Sequence, residues 1–159
     1  MSVAEFKSRT AGPADAATVV ALMRAFYAEE HLVFDETAAR RSVDELLAHP
    51  GLGAILLFET DGRVIGHAVL TFGFSLEFHG RYVLLDELFL IPEARGHGRG
   101  RSALALAEAW TRSAGATALR LELNHANTRA RSLYLAAGFT DDRRDLFTKR
   151  VVPHQPVSA

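Results

Sequence analysis

The sequence predicts an α/β fold in which one mixed sheet carries helices on both faces. Three observations predict it. The hydrophobic spacing switches repeatedly between a helical and a strand period along the chain. An Asp61-Gly62 pair separates two apolar runs, a strong signal for a tight hairpin. A glycine-rich turn at 95–101 stands between a strand and a helix.

Residues 3–10 alternate weakly and predict a short edge strand. Gly12-Pro13-Ala14-Asp15 opens a helix, with Pro13 at the first position, where a missing N–H costs nothing. Val19, Leu22, Met23 and Phe26 follow at helical spacing, and the helix runs to about Glu29. Val43, Leu46 and Leu47 mark a second helix, closed by His49-Pro50-Gly51. Strands are expected at 53–60, 63–74 and 82–91, rich in β-branched, aromatic and Leu residues. A helix begins at Gly98 and carries Ala103, Leu104, Leu106, Ala107 and Trp110. Leu119, Leu121 and Leu123 alternate as a strand. Residues 128–137 form a short helix with Gly138 at its left-handed cap. A last strand is expected at 145–152. No repeat or linker interrupts the series, so residues 1–152 read as one domain, with a disordered tail at 153–159.

Composition narrows the chemistry. The chain of 159 residues has no cysteine, which excludes disulfide staples, thiolate zinc sites and a cysteine nucleophile. A net charge of -1 argues against nucleic acid as a partner. There is no signal-like apolar core and no run near the ~18 residues that span a membrane, so a cytoplasmic protein is expected. The seven histidines show no metal-ligand spacing, and no metal is expected.

The turn is the most informative segment. Leu88-Phe89-Leu90-Ile91-Pro92 leads into Arg95-Gly96-His97-Gly98-Arg99-Gly100-Arg101, which opens a helix. Successive amides in such a turn can face one anion, and the helix N-terminus adds about half a positive charge. Neither a dinucleotide fingerprint nor a P-loop fits, because Arg101 and Arg95 stand where those patterns need glycine. By itself the turn indicates an anion site.

With its surroundings it indicates more. Arg95-x-x-Gly98-x-Gly100, after a strand ending Leu-Phe-Leu-Ile-Pro, resembles motif A of the GNAT (GCN5-related N-acetyltransferase) superfamily. Asn127, Ala130, Tyr134 and Gly138-Phe139 resemble a second motif of that family, N-x-x-A-x-x-x-Y-x-x-x-G-F, after the next strand. The resemblance covers about residues 3–151. It implies a GNAT fold with six or seven mostly antiparallel strands, splayed at the centre, and acetyl-CoA as the cofactor. It also implies a homodimer. The pantetheine arm would pair with the Leu88-Phe89-Leu90 strand, chiefly with the main chain of Leu88 and Leu90. The pyrophosphate would take amides from Arg95, Gly96, His97, Gly98, Arg99, Gly100 and Arg101. Asn127 would bind the pantetheine arm and Tyr134 would face the sulfur. Arg99 departs from the apolar residue usual there and is expected to reach a phosphate or the surface.

Acetyl transfer to a primary amine sets chemical demands. A lysine-like amine has a pKa near ~10.4, so a proton acceptor is useful at neutral pH. A strand amide near Leu88–Leu90 can stabilise the oxyanion. Tyr134, with a reference pKa near ~10, can protonate the departing thiolate, although an aromatic there can also be simple packing. Asp86 and Glu87 are carboxylates in an apolar strand. Alternation would place them on opposite faces, Asp86 in phase with Leu88 and Leu90. One is expected near the reaction centre. The other reading is an ion pair with Arg81 or Arg120. Asp86 is slightly preferred to Glu87 as acceptor. His67 is expected to be structural.

The Leu84–Leu90 stretch and Phe26-Tyr27-Ala28-Glu29-Glu30 resemble the diamine (spermidine/spermine-type) branch. That implies a small cationic amine bound by Phe26, Tyr27, Glu30, Phe74 and Asp86, although Phe26 also fits the core. The alternatives are acetylation of a protein or peptide amine and a non-catalytic acyl-CoA-binding module.

Overall fold

The structure is a computed structural model that describes residues 5–152. Strand β1 (Lys7–Thr10) is followed by a 3-10 turn at Pro13–Asp15 and helix α1 (Ala16–Glu29). Helix α2 spans Glu36–Ala48. Strands β2 (Gly53–Thr60), β3 (Arg63–Ser75) and β4 (Gly80–Leu90) form an antiparallel meander. Helix α3 (Arg99–Ser113) returns the chain to a short parallel strand β5 (Leu119–Leu121), and α4 (Thr128–Ala136) follows.

The sheet order is β1-β2-β3-β4-β5, and alternating side chains divide the core in two. Ile55, Leu57, Val69 and Phe89 pack beneath α1 and α2 with Val19, Val20, Met23 and Val43. Leu56, Phe58, Ala68, Leu70, Val83 and Leu85 pack beneath α3 with Ala103, Leu104 and Ala107. Fully buried Leu side chains of this kind stabilise a fold by roughly 1.5–3 kcal/mol each. At the other end of the sheet, Arg9 clasps Asp15 and Glu59, fastening β1 to the start of α1.

Two sequence expectations change. Residues 3 and 4 of the expected first strand lie outside the described residues, and the strand begins at Lys7. The tail at 153–159 also lies outside them. No strand forms at 145–152, so the sheet has five strands rather than six or seven. The reason lies in the residues. Leu146 and Phe147 are adjacent and would face opposite sides of a strand, with Lys149 and Arg150 following, so neither face is apolar. The residues just before this segment are tied by ion pairs: Asp141 with Arg131, and Arg144 with Glu77 of the β3–β4 turn.

Candidate active site around the open half of β4

Strand β4 has two unlike halves. Val83, Leu84 and Leu85 pair with Leu119, Arg120 and Leu121 of β5, while β3 pairs on the other side. Beyond Leu85 the β5 pairing ends. Ile91 N donates to Ile65 O at 2.9 Å, which fixes the phase of the β3 ladder. Glu87 and Phe89 therefore turn their main chains to β3, and Leu88 and Leu90 turn theirs to the opening. The splay expected between central strands is this gap. Phe89 departs from its expected place: its main chain is used by β3, and its ring packs on the α1 side against Phe26 and His67.

The gap leads into the glycine turn. After a 3-10 turn at Pro92–Ala94, Gly96, His97 and Gly98 take φ of 88, 51 and 73°, three left-handed residues in succession. Glycine adopts this without strain, and a Cβ at Gly96 or Gly98 would meet no neighbour within 4 Å. Here the glycines serve the backbone path and the access to it. Arg99 N donates to Gly96 O and Ser102 N to Gly98 O. Among the described residues, nothing accepts from the amides of Gly96, His97, Gly98, Gly100 or Arg101. Free amides at the mouth of α3 suit a diphosphate. An acyl-CoA therefore fits the site, with its phosphates on these amides and its arm along Leu88 and Leu90.

The arginines do not act alike. Arg95 turns inward: its Nε donates to Leu90 O at 2.9 Å, its guanidinium pairs with Glu29, and it lies over the Phe89 ring. Arg99 folds back to donate to Ala94 O at 3.0 Å. Arg101 is exposed on the first turn of α3. The free amides of the backbone are therefore the part of the turn open to an anion, and Arg95 ties the turn to the end of α1.

Helix α4 forms the other wall. Asn127 caps it, its Oδ1 accepting from Ala130 N at 3.1 Å, so this residue positions the helix and has only its amide N–H groups left for a ligand. Gly138, at φ 93°, ends the helix, and Phe139 N donates back to Tyr134 O. Tyr134 packs edge-on against Phe139. Burial first, then the charge of Glu30, raises its pKa above the ordinary tyrosine value, so its hydroxyl keeps its proton. Glu30, from the end of α1, thus reaches the vicinity of α4.

The paired acids do not alternate. Val69 pairs with Glu87 and Leu70 with Leu85, which leaves Asp86 as the extra residue of a β-bulge. The bulge shifts the phase: Leu85 and Leu88 both join the α3-side core, and Glu87 joins Phe89 on the α1 side. The expected opposition of Asp86 and Glu87, and the phase shared by Asp86 with Leu88, are therefore corrected. Tyr27 of α1 is affected by both acids. Its pKa is pushed up to about 12, first by burial, then by Glu87, with Asp86 adding less. Asp86 is exposed as a whole residue, yet lost hydration is the largest cause raising its carboxyl pKa, followed by Glu87 and Glu122.

Glu87 is only 6% exposed and its partner is His67, 0% exposed, with His67 Nε2 and Glu87 Oε2 2.8 Å apart. Arg81 and Arg120 do not pair with either acid. Arg81 lies over Phe72, and Arg120 stacks on Phe78 and Tyr82. Sequence reading treated His67 as structural and missed this pair. The signal was present, a His and a Glu on adjacent strands, but their meeting depends on the bulge. Phe26 and Tyr27 lie at this corner. Phe74 does not: it is 75% exposed and faces Arg81, five residues and about 17 Å along the strand from Asp86.

Comparison with known proteins bears on the fold and the family. An uncharacterized N-acetyltransferase, YhfO of Bacillus subtilis (strain 168), is 34% identical over 88 residues, which are 55% of this chain and 59% of that protein. The chain thus spans less than two thirds of that relative. An integron cassette protein, HFX_CASS3, from the mobile metagenome of Cole Harbour Salt Marsh is 34% identical, with a TM-score of 0.81 over 92% of this chain and 91% of its own. The aminoglycoside N-acetyltransferase AAC(6')-Iy in complex with CoA shares the fold at 18% identity, with a TM-score of 0.80 over 95% and 98% of the two chains. Residues 19–139, which run from α1 through the open half of β4 and the amide turn to the cap of α4, match the acetyltransferase (GNAT) family, and the chain belongs to that family.

Proposed function

We propose that the chain transfers an acetyl group from acetyl-CoA to the primary amine of a small cationic substrate. The observation that carries this reading is the open half of β4. It joins an unpaired strand edge, five free amides at a helix mouth and a carboxylate of raised pKa. Bound acetyl-CoA supplies an activated thioester. The amides of Gly96, His97, Gly98, Gly100 and Arg101 bind its phosphates, and the main chain of Leu88 and Leu90 orients its arm.

The protein's own residues handle the protons. Asp86, at the edge of the gap, accepts the proton that the ammonium must lose before it can attack. A carboxyl with raised pKa is a better match to that task than an ordinary one. Tyr134 retains a proton at its hydroxyl and gives it to the departing thiolate. Glu87, Asp86, Glu122 and Glu30 surround the corner with negative charge, which favours a cationic acceptor. Glu29 contributes less, because Arg95 neutralises it. The same acidity favours a small polyamine-like amine over a protein or peptide amine.

The test is release of CoA from acetyl-CoA in the presence of polyamines, aminoglycosides, amino acids and peptides. Turnover with small polycationic amines is expected. Release with none of these amines sinks the enzymatic reading, and release with peptides alone moves the acceptor to that class.

A further inference from the structure

The buried pair behind the bulge has a place in the chemistry that the family likeness does not assign. His67 lies on β3 with no exposed surface, between the rings of Phe26 and Phe89, at centroid distances of 6.5 and 6.1 Å. Its bond to Glu87 places a donor at Nε2 and leaves Nδ1 without a partner among the described residues. Breaking such a buried pair at one partner is costly, but replacing both partners by apolar residues of the same volume is about neutral, so the presence of the pair points to a role beyond packing.

We propose that His67 is a positioning residue. By holding the Glu87 carboxylate beside the bulge, it fixes a negative charge next to Asp86 and so sets the pH above which Asp86 accepts a proton. Its catalytic meaning rests on the function proposed above.

The surroundings support it. The groups that face Asp86 are Glu87 on its own strand, Glu122 beyond β5 and Tyr27 from α1. Those that face Glu87 are His67 from β3, Tyr27 from α1 and Asp86 itself. Among the described residues no Arg or Lys forms an ion pair with either acid, and the basic group paired with Glu87 is His67 itself. The Glu87 contribution to the raised Asp86 pKa runs in the same direction. Without the His67 donor, this deeply buried carboxylate keeps the Tyr27 hydrogen bond alone and is free to turn from the bulge towards water, which removes the charge from beside Asp86. The bulge is what makes the two carboxylates neighbours, so the control reaches Asp86 through one backbone irregularity.

The experiment follows the Asp86 carboxyl by carbon-13 NMR against pH in the full chain without ligand, with Asp86→Asn identifying the resonance. In His67→Leu the Asp86 midpoint should fall by about one pH unit. In His67→Gln, which places an amide N–H near the lost Nε2–H, it should return towards the parent value. An unchanged midpoint in His67→Leu overturns the proposal, and so does a fall that Gln does not reverse. If His67→Leu fails to fold, Glu87→Gln decides: a fall supports the proposal and an unmoved midpoint overturns it. The titration needs neither acetyl-CoA nor an acceptor. Shifted midpoints in a chain that acetylates nothing leave this inference standing and remove the functional reading, while unmoved midpoints in an active enzyme do the reverse.

Discussion

The two halves of β4 share one strand and have different duties. Val83–Leu85 is paired on both edges, and the Val83 and Leu85 side chains are buried under α3. Glu87–Leu90 is paired on one edge only, and its other edge opens towards the amide turn. One inserted residue separates them. Hydrogen-bonded on both sides, a strand holds the molecule together. Released on one side, the same strand offers main-chain groups to a ligand. The comparison teaches that here function is obtained by withholding a structural partner.

Substitutions on either side of the bulge should separate these duties. The largest effect is expected at Asp86. Asp86→Asn should lower kcat/KM about 10³-fold with little change in melting temperature, since removal of a general base costs that order. The pH profile sharpens this. Because the Asp86 pKa is raised, the parent rate should fall on the acid side at a pH above the usual aspartate range, where the carboxyl gains its proton. That limb should vanish in the variant; a full-length limb in Asp86→Asn would assign the base elsewhere.

On the paired side the outcome should invert. Leu85→Ala should destabilise the fold by about 3 kcal/mol in urea unfolding, because it leaves a cavity under α3. The molecules still folded should keep a nearly normal KM for acetyl-CoA. Across the gap, Tyr134→Phe should reduce kcat roughly 10²-fold while CoA affinity, measured calorimetrically, stays within about twofold. An equal loss of affinity would make Tyr134 a binding residue. The smallest effect is expected at the turn. Gly98→Ala carries a left-handed penalty of about 1–2 kcal/mol and should weaken CoA binding roughly tenfold, with no change in the Asp86 limb.

Much of this half-and-half strand was legible in the sequence. The Arg95–Arg101 pattern gave the turn because glycines at fixed spacing constrain the backbone locally. The hairpin at Asp61-Gly62, the three long strands and the helices α1 to α4 were legible for the same reason, since period and punctuation are local signals. What failed was nonlocal. A bulge depends on the partner strand, so a strict alternation put Asp86 and Glu87 on opposite faces, and His67, read as structural, was not linked to Glu87. Phe74 was placed in the slot on residue type alone and lies at the far, exposed end of β3. The strand expected at 145–152 failed because its β character had no single apolar face to bury.

Arg95 links the end of β4 to the end of α1. Its guanidinium is a staple: one arm holds the carbonyl that ends β4, another holds Glu29, and the flat of the group rests on Phe89. The residue after Glu29 is the one whose charge is felt by Tyr134. The glycine turn and the end of α1 are therefore fastened by a single side chain, and displacement of one is transmitted to the other.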